Sequence, residues 1–101
     1  FYTSLGFTVA HRANNNGELV AFLRLGDLTI ETYQNGKAAF INGAVDHVAI
    51  NVTDVEEAHR IAEELHLEII EEGQLPFWDN GVKYFTVLGP NREKVEFNQY
   101  L

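Results

Sequence analysis

Only one stretch of this sequence carries a helical hydrophobic period, and it is set among short strand-like segments. After Thr53, apolar residues fall at Val55, Ala58, Ile61, Ala62 and Leu65, one face of a 3.6-residue repeat. Thr53 and Glu56 have capping-box spacing, and Asp54, Glu56 and Glu57 suit the positive end of the helix dipole. Because helical periodicity covers barely this one segment, the chain is not a coiled coil. One amphipathic helix needs a sheet to bury its apolar face, which predicts an α+β fold.

Turn signals divide the remainder into strands. Leu19 to Leu25 follows the turn Asn14-Asn15-Asn16-Gly17, and Gly26-Asp27 leads tightly into Leu28 to Gln34. Asn35-Gly36 and Asn42-Gly43 bracket a linker. Val45 to Val52 is a strand, as is Glu68-Ile69-Ile70. Val82 to Leu88 follows Asn80-Gly81, and Lys94 to Tyr100 closes the chain. From Val45 the order is therefore strand, helix, three strands. Upstream, Phe1 to Leu5 reads as a helix end capped by Gly6, followed by strands at roughly 7–13, 19–25 and 28–34. This is the same order without its first strand and most of its helix. Ile30-Glu31-Thr32-Tyr33-Gln34 echoes Val95-Glu96-Phe97-Asn98-Gln99, with Leu25-Gly26 and Leu88-Gly89 upstream, so the two halves read as copies of one module. The expected organisation is a single domain, 1–101, with a first module at about 1–36, a linker at about 37–44 and a second module at about 45–101.

Seven Lys plus Arg against fifteen Asp plus Glu give a net charge of −8. No basic stretch exists to neutralise phosphates, which argues against nucleic-acid binding. Apolar runs are too short to span a membrane. With no cysteine there is no disulfide framework, zinc ribbon or thiol nucleophile, and a cytoplasmic location is expected.

Strand alternation sorts the candidate site residues. Val48, Ile50 and Val52 form an apolar face suited to the helix, whereas His47, Ala49 and Asn51 face the other way. Glu96, Asn98 and Tyr100 share one face of the last strand, and Thr29, Glu31 and Tyr33 share one face of its earlier counterpart. A mid-strand carboxylate is costly to bury unpaired. Two at equivalent repeat positions call for a cation or a solvent-filled cavity. Taken singly, each of these residues has an ordinary structural reading; together, His47, Glu31 and Glu96 make a plausible set for a first-row divalent metal.

Three segments carry a family resemblance: Phe1-Tyr2-Thr3-Ser4-Leu5-Gly6-Phe7, Asp46-His47-Val48-Ala49-Ile50-Asn51-Val52, and Leu88-Gly89-Pro90-Asn91-Arg92-Glu93-Lys94-Val95-Glu96-Phe97. The chain resembles the vicinal oxygen chelate superfamily, which includes glyoxalase I, bleomycin-resistance proteins and extradiol dioxygenases. In the third segment the usual Asp-Pro-Asp-Gly is replaced by Gly89-Pro90-Asn91-Arg92. The resemblance implies two βαβββ modules with curled mixed sheets around a cavity, the first lacking its opening strand and most of its helix. It also implies metal ligands at His47, Glu31 and Glu96. The counterpart of His47 would lie roughly 13 residues before Phe1, so a longer native chain is expected.

The activity so implied is that of a lactoylglutathione lyase-type enzyme. A divalent metal (Ni, Zn, Co, Mn or Fe) would hold two oxygens of a hemithioacetal and stabilise the enediolate, while Glu31 or Glu96 moves the proton. Glutathione as co-substrate and a homodimer come from the resemblance. An epimerase or dioxygenase on the same framework is a second enzyme reading. The rival is a metal-free drug-binding protein of the bleomycin-resistance type, to which the net charge and Trp78, Phe77, Tyr33 and Tyr84 would suit cation capture. Retention of ligand-type residues counts against it. His11 reads as a surface residue, His66 as a partner of the helix dipole, and Lys83 and Arg24 as exposed strand residues.

Overall fold

Asp54, rather than Thr53, starts the helix. In the computed structural model, which describes residues 1–101, the Asp54 carboxylate accepts from the Glu57 N–H (3.0 Å), opening α1 (Val55–Glu64). Asp54 and Glu57 have the same capping spacing as Thr53 and Glu56, one residue on, and the carboxylate also meets the dipole. The chain forms two compact units, Phe1–Ala39 and Phe40–Leu101, divided within the expected linker.

The second unit contains β4 (His47–Asn51), α1, β5 (Glu68–Leu75), β6 (Val82–Leu88) and β7 (Lys94–Tyr100). Its sheet runs β4-β7-β6-β5, with β4 and β7 parallel and the other pairs antiparallel. The last two strands match their expected bounds; β4 is shorter than Val45–Val52, and β5 extends well beyond Ile70. Helix α1 packs on β6 and β7. Under it lie Phe85, Val87, Val95 and Phe97, all buried, with the Phe85 and Phe97 rings stacked 5.2 Å apart.

The helix buries a different stripe from the expected one. Val55 and Ala62 are buried, and His59 takes the position between them with its ring edge-on to Phe85 at 5.0 Å. Ile61 and Leu65 stay more than 40% exposed. The imidazole is an apolar body with a polar tip: its Nε2 reaches the Glu72 carboxylate at 2.7 Å while its ring packs edge-on against the aromatic core. Val48 and Ile50 lie on the helix side, paired with Val95 and Phe97, but Val48 is at the sheet edge and remains exposed.

The first unit opens with one 3₁₀ turn (Tyr2–Leu5) and continues as the antiparallel sheet β1 (Thr8–Asn15), β2 (Glu18–Leu25), β3 (Leu28–Tyr33). Asn16 and Gly17, both at positive φ, form the two-residue hairpin loop between β1 and β2.

Taken separately, the two units repeat the same hydrogen-bond plan. Gly6 and Phe7 donate to the carbonyls of Thr3 and Tyr2; sixty residues on, His66 and Leu67 donate to those of Glu63 and Ala62. Both are Schellman ends, with Gly6 at φ 97° and His66 at φ 56°. The strand after each carries a bulge, between Val9 and His11 and between Ile69 and Glu71. Every row then corresponds: His11–Phe22–Glu31 in one sheet answers Glu71–Thr86–Glu96 in the other. The Glu31/Glu96 echo is therefore in register. The Leu-Gly echo is one residue out, because Leu88 answers Arg24 and not Leu25. Arg92 adopts φ 63° in the β6–β7 loop, a left-handed conformation that favours glycine.

Two stability predictions follow from this packing. Phe85→Ala removes the ring beneath α1 and should cost about 3–5 kcal/mol. His66→Gly relieves a left-handed non-glycine residue and should gain about 1 kcal/mol. Urea denaturation of the full chain reads both, and the two changes should move the midpoint in opposite directions.

Candidate functional site

The face of the second unit's sheet opposite α1 collects its polar side chains. Parallel pairing sets His47 against Lys94, Ala49 against Glu96 and Asn51 against Asn98, and Thr86 lies across from Glu96 on β6. These residues share one side because paired positions in a ladder point the same way.

His47 Nε2 lies 3.2 Å from Glu96 Oε2. The imidazole is 41% exposed and the Glu96 side chain only 17%. Glu96 is held from the other oxygen, where Asn98 Nδ2 donates to Oε1 at 2.9 Å. Asn51 in turn donates to Asn98 Oδ1 at 3.0 Å. Asn98 is itself buried, so the carboxylate rests on a fixed amide and not on a mobile surface group.

Behind His47 stands Asp46. Its Oδ2 is 2.9 Å from His47 Nδ1 and 3.5 Å from Lys94 Nζ, and its Oδ1 accepts from Asn42 Nδ2 at 2.9 Å. The hydrogen bond with His47, followed by the attraction of Lys94, holds the Asp46 carboxyl below the ordinary carboxylate range. Lys94 also reaches Glu71 at 3.9 Å. A small cavity of about 180 Å³ lies beside the pair, with Ile41, Val45, Asp46, His47 and Lys94 among its walls.

Of the three expected ligands, the structure brings His47 and Glu96 together within the second unit. Glu31 is exposed on β3 of the first unit, across from Phe22. No cluster of three or more His, Asp or Glu suited to a metal ion occurs. The donor chemistry of the pair nonetheless fits one: an imidazole and a carboxylate converge, and the other ring nitrogen is already engaged by a carboxylate. Sequence reasoning assigned no part to Asp46, Asn98 or Asn51. The alternation that placed Asn98 with Glu96, and Asn51 with His47, was the signal available for the amides. The same alternation puts Lys94 on the face of Glu96; its place opposite His47 follows only from the parallel pairing.

Among the other titratable residues, His11 is exposed as expected and lies 5.9 Å from Phe22, ring to ring. Lys83 forms an ion pair with Glu56. Trp78, at φ 60°, leans on Tyr100 with ring centres 4.8 Å apart. It borders a cleft of about 480 Å³ that includes Asp79 and Gly81. No helix is long and apolar enough to cross a membrane.

No family model matches the sequence, and no curated protein matches it either. Solved structures do match. A glyoxalase family protein from Enterococcus faecalis is 21% identical, with TM-score 0.78 over 97% of this chain and 82% of that one. A glyoxalase/bleomycin resistance protein/dioxygenase from Alicyclobacillus acidocaldarius is 16% identical, with TM-score 0.75 over 100% and 79%. The fosfomycin resistance protein FosX from Listeria monocytogenes is 12% identical, with TM-score 0.72 over 95% and 74%. At these identities the likeness establishes the fold: the chain has the glyoxalase/bleomycin resistance fold.

The amide support of Glu96 is directly testable. Asn98→Ala removes a donor to Glu96 and an acceptor for Asn51, and should cost about 1–3 kcal/mol. Thermal denaturation measures the loss, and an unchanged midpoint would show that the amides carry none of the site's rigidity.

Proposed function

We propose that this chain is a metal-dependent lyase of the glyoxalase type, isomerising a small-molecule hemithioacetal, with His47, Glu96 and Glu31 as metal ligands. The observation that carries this reading is the approach of His47 Nε2 to Glu96 Oε2 at 3.2 Å on the sheet face opposite α1. A mixed imidazole and carboxylate set suits Ni, Zn, Co, Mn or Fe. Glu31 is included because its ladder position in the first unit is the one Glu96 holds in the second.

When bound, such an ion supplies Lewis acidity toward neighbouring substrate oxygens. The chain's own residues would do the rest. Glu96 or Glu31 would carry the proton between adjacent carbons, the work of a general base that becomes a general acid. His47 would stay fixed, being tied through its second nitrogen to Asp46. Glutathione as the thiol partner rests on the family resemblance. So does a homodimer, which the edge strands β4 and β5 also support.

A second reading, a metal-free protein that captures organic cations, draws on the cleft beside Trp78 and Asp79. Trp78 is 69% exposed, and an exposed indole beside a carboxylate suits a cationic ligand.

Metal analysis of the purified full chain separates the two. Near-stoichiometric divalent metal is expected in the wild type, lost in His47→Ala and Glu96→Ala and reduced in Glu31→Ala. Absence of metal from the wild type, even after reconstitution, would overturn the lyase and turn attention to quenching of Trp78 fluorescence by organic cations.

A further inference from the structure

We infer that Asp46 is the positioning residue of this site: its carboxylate holds the His47 imidazole as the Nδ1–H tautomer, leaving Nε2 as the donor atom aimed at Glu96. The inference rests on His47 acting as a ligand, as proposed above, and adds how the chain makes it one.

A neutral imidazole has one N–H and one lone pair, and only the nitrogen with the lone pair can bind a metal. Both ring nitrogens of His47 face carboxylates, Asp46 at 2.9 Å and Glu96 at 3.2 Å, so the ring alone does not decide which is which. The surroundings of the two carboxylates do. Asp46 Oδ2 has Lys94 Nζ at 3.5 Å as well as the ring nitrogen, and Asn42 Nδ2 donates to Oδ1 at 2.9 Å. These contacts come from three places: the segment before β4, the first residue of β7, and β4 itself. They fix the Asp46 carboxylate, which has no comparable access to Nε2 and cannot serve beside it. Glu96, by contrast, is held by Asn98 at Oε1 alone, so Oε2 remains available to share a cation with Nε2. One carboxylate thus orients the ring and the other stands where a ligand would. This is the division of labour by which outer carboxylates set the tautomer and direction of ligating histidines.

The test reads the tautomer without metal and the affinity with it, on the full chain. In Glu96→Ala, where Nε2 has no competing acceptor, long-range ¹H–¹⁵N spectra at alkaline pH should show His47 mainly as Nδ1–H. Adding Asp46→Ala should return the ring to the Nε2–H form that free imidazole side chains prefer. Asp46→Asn in the same background should keep Nδ1–H, because the amide oxygen still accepts. With Glu96 restored, Asp46→Ala should weaken Ni²⁺ binding about 10–100-fold, and Asp46→Asn should recover most of it. An Nε2–H ring in Glu96→Ala with Asp46 intact would overturn the inference, as would Ni²⁺ binding in Asp46→Ala equal to the wild type. If the wild type takes up no Ni²⁺ or other divalent metal, the lyase reading fails, while the spectra still decide the role of Asp46.

Discussion

The parallel pairing of β4 with β7 is the constraint on which the second unit depends. The two strands are separated in sequence by α1, β5 and β6, and no tight turn can join parallel neighbours. The crossover helix is therefore required, and its apolar stripe over Phe85 is what stabilises so long a connection. At one end of the pairing, Val52 N–H donates to the Asn98 carbonyl at 2.7 Å; at the other, Lys94 reaches Asp46. A slip of one residue would turn His47 toward the helix and Val48 toward the polar side. The backbone ladder thus sets the approach of His47 to Glu96. Attraction between partly exposed groups is too weak to do so alone.

The polar face is graded from rigid to mobile. Asn98 and Thr86 are buried, Glu96 is largely covered, and His47 with Asp46 reaches solvent. Interior amides cannot swing, because each lost hydrogen bond in a covered position costs more than the same bond at the surface. The carboxylate of Glu96 inherits their order, and the imidazole inherits order from Asp46. A site assembled this way leaves its outer atoms accessible to a small molecule without surrendering their direction.

Much of this was legible in the sequence, for local reasons. The β6 and β7 spans, the Gly6 cap and the sorting of His47 and Glu96 onto polar faces all follow from alternation and turn chemistry, which act over a few residues. The failures are equally physical. Thr53 was read as the cap because two adjacent residues offered the same spacing. The helix stripe was misplaced because His59 looks polar in sequence yet lies on Phe85. The Leu-Gly echo slipped by one because connecting loops of unequal length change the residue offset between the units from strand to strand. The meeting of Lys94 with Asp46 and His47 depends on a long-range register that no local pattern announces.

That register bears on how the two halves could have come to differ. His11–Phe22–Glu31 and Glu71–Thr86–Glu96 occupy the same ladder position in their own sheets. Each row carries a glutamate on the last strand of its unit, so the contrast between an aromatic row and a doubly acidic one is only two side chains deep. The two units thus share a strand register while differing in the chemical character it carries. A duplicated module of this kind can exchange one binding preference for another while leaving every strand partner in place.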